Sequence, residues 1–239
     1  MRALITGGTR GIGRHLAEAL RQDGWEVAVV GRTPDPTLTR QLVGDVGDLW
    51  FPAQVRQRFL RWGWDTLDAL LTCAAVAGPL EPVGRAEPLA WREAIRINAL
   101  GTFQAVHAVW PYLRHGARVI TFGGGGDGPI ARASAYAASK AAVVRFSECL
   151  AEEAQVNGIW VNCVFPGPVP TDLWHQFRAA GIGGEHCGPE AIIACVRWLL
   201  SPAAEGITGR LISARFDEYQ RWTKAISDTD RATLRRVKP

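Results

Sequence analysis

Seven short apolar runs, at residues 2–6, 26–30, 41–46, 67–75, 118–122, 159–165 and 210–214, recur along the chain. Helix-patterned stretches at 14–21, 51–64, 89–113, 134–155 and 189–200 fall in the gaps between them. A brief apolar run stopped by glycine or proline reads as a strand buried on both faces. Strands that alternate with helices call for a parallel sheet, because a parallel pair needs a crossover long enough to hold a helix. The expectation is one α/β domain over residues 1–239, with a mainly parallel sheet. No repeat, low-complexity tract or linker divides the chain. Its 239 residues, 47% hydrophobic and 21% charged, suit a packed core and exclude a disordered chain.

The first run ends in Thr6-Gly7-Gly8-Thr9-Arg10-Gly11-Ile12-Gly13, and a helical pattern follows at once. Glycines at a strand-to-helix turn let the backbone approach a pyrophosphate, and the helix N-terminus offers it unpaired N–H groups. Gly7, Thr9, Gly11 and Gly13 are therefore candidate cofactor contacts. The second run ends at Gly31-Arg32, where sites that prefer NAD place a carboxylate for the ribose 2′-hydroxyl. Arg32, with Arg10 across the turn, suits a 2′-phosphate instead, so the expected cofactor is NADP(H). Asp45, at the end of the third run, is a candidate acceptor for an adenine amino group.

Tyr136 and Lys140 stand at i and i+4 in the helical stretch 134–155, on one face. An ammonium beside a phenol favours the phenolate, so the pair is expected to lower the tyrosine's pKa and exchange protons with a bound alcohol or carbonyl. Asn98 is an amide in a largely apolar neighbourhood. Residues 172–188 lose periodicity and gain glycine, which reads as a lid. Trp174, His175, Gln176, Phe177, Arg178, His186 and Cys187 would line it.

Charge and cysteine usage narrow the classes further. A formal charge of +4 is mild, and the densest basic run, 231–238, reads as a solvated tail, so no nucleic-acid partner is expected. Five scattered cysteines without CxxC spacing indicate reduced thiols and no metal site. No run reaches transmembrane length and no signal peptide is apparent, so the expectation is a cytoplasmic protein with no membrane partner.

Taken together, Thr6-Gly7-x-x-x-Gly11-x-Gly13, Asp45-Val46, Asn98, Tyr136-x-x-x-Lys140 and Pro166-Gly167-x-x-x-Thr171 resemble the short-chain dehydrogenase/reductase family over essentially the whole chain. The resemblance implies a Rossmann-like, doubly wound sheet of order 3-2-1-4-5-6-7 with helices on both faces. It also implies hydride transfer to or from a nicotinamide, and a homodimer or homotetramer. By the same resemblance Tyr136 is the proton donor or acceptor. Lys140 holds the nicotinamide ribose and lowers the tyrosine pKa, and Asn98 anchors a water for proton relay. Val169 and Thr171 orient the carboxamide, while Arg10, Ile12, Arg32, Asp45 and Val46 contact the rest of the cofactor.

Two departures stand out. The family's Asn-Asn-Ala-Gly on the fourth strand is replaced by Thr72-Cys73-Ala74-Ala75, and the serine it places ahead of the tyrosine maps by spacing onto Gly123. Thr121 lies about 6–7 Å deeper along the strand and Ser134 points away, so neither replaces that hydroxyl. Backbone N–H groups of Gly123 to Gly126, a water, or a substrate hydroxyl in the vacated space are the expected substitutes. The leading expectation is reduction of a carbonyl, or oxidation of an alcohol, on a small, bulky oxygenated metabolite, with Tyr136 as general acid/base. The alternative is a dehydratase, epimerase or cyclase on the same scaffold.

Overall fold

The computed structural model describes residues 1–124, 129–229 and 232–233. Gly125 and Gly126 of the glycine run, and all of the basic 231–238 run except Ala232 and Thr233, lie outside the described residues. Seven strands form a single parallel sheet in the order β3-β2-β1-β4-β5-β6-β7. They are β1 Arg2–Thr6, β2 Glu26–Gly31, β3 Gln41–Val43, β4 Leu67–Thr72, β5 Leu113–Phe122, β6 Trp160–Phe165 and β7 Arg210–Ser213. Helices α1 Gly11–Gln22 and α7 Glu190–Leu199 cover one face. The other face is covered by α2 Phe51–Trp62, α4 Gly101–Val109 and α5 Ser134–Ala154.

This is the expected doubly wound architecture, with its chain reversal between β1 and β4. A ligand crevice opens at such a switch point, outside the carboxyl ends of the strands. Both faces of the strands bury apolar side chains: Ala3 and Ile5 of β1 pack toward α1 and α7, and Leu4 toward α2 and α4. The near-continuous apolar runs follow from this two-sided burial.

Three boundaries differ from expectation. β3 ends at Val43, with Gly44 still donating its N–H to the Gly31 carbonyl at 3.1 Å; beyond it Asp45 accepts the Gly47 N–H at 2.8 Å, a side-chain turn that carries the chain away. The expected helix 89–113 divides into α3 Pro88–Ile95, a π-helical turn Arg96–Leu100 and α4. At the junction, Gly101 lies so close to Val46 that a Cβ would come within 2.5 Å of that side chain. The lid region contains α6 Asp172–Ala179, capped by Thr171, whose hydroxyl accepts the Trp174 N–H at 3.3 Å.

Candidate active site

The glycine turn after β1 is held by close approach. A Cβ on Gly13 would come within 2.4 Å of the Gly7 carbonyl oxygen, and Gly7 itself has φ +68°. These contacts seat the first turn of α1 directly on the turn, with its N–H groups facing outward. The result is one wall of a groove of about 300 Å³. Gly7, Thr9, Arg10, Gly11, Ile12, Gly13, Arg32, Asp45, Val46 and Thr171 all line it, joined by Cys73, Val76 and Ile97. Ten of the sequence-derived positions thus meet in one place. Val169, buried after β6, and the α5 pair Tyr136 and Lys140 lie outside that lining.

Charges around the groove are unevenly committed. Arg10 pairs with Asp172 across it at 3.3 Å, both largely exposed. Arg32 is exposed and makes no ion pair or hydrogen bond among the described residues. Asp45 is held by Arg96, 2.7 Å away, and by Gly47. Burial, the largest single influence, would raise the Asp45 carboxyl, but the hydrogen bonds from Arg96 and Gly47 and the charges of Arg96 and Arg32 together keep its pKa below the usual carboxylate value.

On α5, Lys140 is 3% exposed and donates from Nζ to the Phe122 carbonyl at 2.8 Å. Its Nζ lies 5.8 Å from the centroid of the Tyr136 ring. Burial pushes the lysine down to about 8 and the Tyr136 phenol up to about 12. The expected lowering of the tyrosine therefore does not occur in this state. Loss of water around the phenolate outweighs a cation directed at a carbonyl rather than at the phenol oxygen.

Asn98, fully buried in the π-helical turn, spends its amide on structure. Its Oδ1 accepts the Val76 N–H at 2.8 Å, and its Nδ2 donates to the Val76 carbonyl and to Ser139 Oγ, each at 2.9 Å. Its own carbonyl accepts from Thr102. The amide thereby fixes Val76 in the groove wall and ties it to α5 one turn from Tyr136.

The glycine run is read differently in space than along the chain. A Cβ on Gly123 would lie 2.2 Å from the Phe165 ring and 3.2 Å from Cys163 Sγ, facing β6 rather than the tyrosine. Gly124 is the residue opposite Tyr136, its Cβ position 2.6 Å from the phenol oxygen. Gly123, the position that spacing matches to the family's serine, still donates its N–H to the Val164 carbonyl of β6 at 3.0 Å, and Gly124 is the glycine next to the phenol. The space is also not vacated: the tyrosine side chain leans into it. Thr121 is committed to Ser147 at 2.6 Å and Ser134 to Trp91 at 3.2 Å, so neither hydroxyl reaches the site.

α6 packs over the tyrosine. Phe177 of α6 meets the Tyr136 ring edge-on at 5.1 Å, and Trp174 is flanked by His175 and His186 at 5.0 and 4.9 Å. Arg132 donates to the Ala180 carbonyl at 2.5 Å, and the Cys187 N–H to Pro168 at 2.8 Å. All five cysteines are free, and no cluster of three metal-binding side chains exists among the described residues. No helix among them is long and apolar enough to cross a membrane.

A family model described as short chain dehydrogenase matches residues 1–181. The chain belongs to this family of oxidoreductases. It is 30% identical over 240 residues to the 3-oxoacyl-(acyl-carrier-protein) reductase of Escherichia coli, covering 91% of this chain and 96% of that protein. It is 26% identical over 246 residues to the acetoacetyl-CoA reductase of Shinella zoogloeoides, covering 91% and 98%. Among solved structures, a short chain dehydrogenase from Shigella flexneri complexed with NADP superposes with a TM-score of 0.80 at 25% identity, over 90% of this chain and 96% of that one.

Sequence reasoning missed Phe165 and Arg96. Arg96 carried a signal: Glu93 sits three residues before it and Asn98 two after, on consecutive turns.

Proposed function

We propose that this enzyme is an NADP(H)-dependent carbonyl reductase, or the corresponding alcohol dehydrogenase in reverse, with Tyr136 as the acid or base. The observation that carries the reading is the Tyr136 hydroxyl. It makes no hydrogen bond among the described residues and stands at the carboxyl end of the sheet, beside Gly124 and above buried Lys140. The groove lined by Gly7, Gly11 and Gly13 at the start of α1 suits a dinucleotide, whose pyrophosphate would lie against the helix N-terminus. Arg32, uncommitted, and Arg10 would take the 2′-phosphate, which favours NADP(H). The NADP-bound relative supports the same preference.

When bound, the nicotinamide supplies the hydride that enters the carbonyl carbon. Tyr136 donates its proton to the carbonyl oxygen as charge develops there, leaving an alcohol. A phenol raised by burial to about 12 is neutral at physiological pH and holds the proton that reduction requires. Lys140 would then hold the ribose and return a proton to the tyrosine. Thr171 accepts from Trp174, which leaves its own hydroxyl hydrogen for the carboxamide, with Val169 beside it. Phe177 and Trp174 would exclude water and favour a bulky oxygenated substrate. The named relatives point to 3-oxoacyl compounds as the first panel to test.

Purified protein is expected to oxidise NADPH with at least one member of a carbonyl panel, and Tyr136→Phe to lower kcat by about 10²–10⁴-fold with cofactor binding retained. Turnover of a substrate without net hydride transfer would instead place the protein among the dehydratases or epimerases.

A further inference from the structure

We propose that Arg96, which does not line the cofactor groove, sets both the pose of the adenosine half of the dinucleotide and the preference for a 2′-phosphate. The inference rests on the dinucleotide reading above and extends it to a residue behind the groove wall. Arg96 opens the π-helical turn, and its guanidinium divides between two carboxylates. Nη2 donates to Asp45 Oδ2 at 2.7 Å and to Glu93 Oε1 at 2.6 Å, and Nε donates to Glu93 Oε2 at 2.6 Å. Glu93 grips the fork at two points and so fixes its direction. Asp45, which does line the groove, is held from behind by Arg96 and from its own loop by the Gly47 N–H. The carboxylate has no freedom left to rotate.

Two further contacts show that the arrangement is built in. A Cβ on Gly47 would fall 2.3 Å from Arg96 Nη1, so the guanidinium occupies the place of a side chain at 47. The next residues of the same turn, Ile97 and Asn98, form groove wall and brace Val76. One five-residue element therefore touches the adenosine end through Arg96 and Asp45, and the groove wall beside α5 through Asn98.

The charge balance carries the selectivity. Asp45 and Glu93 both lie near enough to Arg32 for its cation to hold their carboxyls down. With Arg96 present, two carboxylates face two arginines. Without it, the two carboxylates keep only Arg32 beside them, since Arg10 pairs with Asp172, and a dianionic 2′-phosphate would enter a more acidic corner. Loss of the Asp45 pose would affect any adenine dinucleotide; the surplus charge would oppose only the phosphorylated one.

Dissociation constants for NADPH, NADH and reduced nicotinamide mononucleotide, measured by fluorescence or calorimetry on the full chain, separate these effects. Arg96→Met is expected to weaken NADPH by about tenfold or more, the range for a lost charged hydrogen bond, and NADH distinctly less. Arg96→Lys keeps the charge but loses the fork, and should weaken both dinucleotides alike. Glu93→Gln added to Arg96→Met should return the NADPH:NADH ratio toward that of the unaltered protein. The mononucleotide, which never reaches Asp45, should bind all variants equally. An unchanged NADPH:NADH ratio in Arg96→Met overturns the inference, as does equal weakening of the mononucleotide, which would mean general structural damage. If the unaltered protein binds neither dinucleotide, the cofactor reading itself falls and this inference with it.

Discussion

Gly123 and Gly124 are adjacent, yet they are glycines for different reasons. Gly123 is small because Phe165, on the neighbouring strand, lays its ring where a side chain would go. Gly124 is small because Tyr136 does the same from α5. Restoring a serine is therefore a packing experiment before it is a chemical one. Gly123→Ser is expected to cost about 1–3 kcal/mol by overpacking, read as a shift in the urea midpoint, and to leave the reduction rate without gain. Adding Phe165→Ala should recover much of that stability, since the colliding ring is gone. Gly124→Ser should push the phenol off its present position and lower kcat. A Gly123→Ser variant that is both stable and faster would show that Phe165 does not fill the space. The chain's spacing could not show either contact, because each is made by a side chain of another element.

At the scale of elements, the sheet was legible and its ends were not. β1, β2, β4, β6 and β7 appear within two or three residues of their apolar runs, since burial on both faces leaves an unbroken signal. The π-helical turn was invisible: its residues keep helical composition, and what widens the turn is tertiary, the close seat of Gly101 on Val46. The glycines that line the groove were legible because glycine spacing reports close backbone approach directly. Arg96 was hidden because its partner Asp45 is 51 residues away in the chain. β4 carries a further consequence of replacing the family's asparagine. Thr72 lies beside Thr6 and Thr121 in the parallel register, is 2% exposed, and its hydroxyl has no partner among the described residues. Thr6 accepts from the Ala74 N–H and Thr121 is bonded to Ser147, so the middle threonine alone of the three is orphaned. Thr72→Val keeps the shape and removes the buried hydroxyl, and is expected to raise stability by about 1–3 kcal/mol in equilibrium denaturation. A loss of stability would mean that a buried water satisfies Thr72 in solution.

The molecule as a whole concentrates its buried ionisable groups at the carboxyl end of the sheet and against α7, and that placement sets how stability follows pH. Lys140 is lowered to about 8 by burial, so folding favours its neutral form. Its contribution is absent below about 8 and grows as pH rises toward the unfolded value near 10.5, on the order of 3 kcal/mol in full. The thiols act in the opposite sense. Burial raises Cys73, holds Cys163 near about 11 and lifts Cys195 to about 12, against an ordinary value of 9.0. Each favours the folded state while protonated, and that advantage is lost as pH climbs from 9.0 through the folded values. Tyr136 and Tyr219, both raised to about 12, add to the loss above 10.0. Between about 8 and 9 only the lysine acts, and stability should rise; beyond that, three thiols and then two phenols outweigh it. Denaturant unfolding across this range is expected to show a maximum near pH 9. Lys140→Met should remove the rise and keep the fall, whereas Cys163→Ala should make the fall shallower. A profile that declines steadily from pH 8 in the unaltered protein would mean that Lys140 keeps its charge when buried, and that the phenol above it has a cation after all.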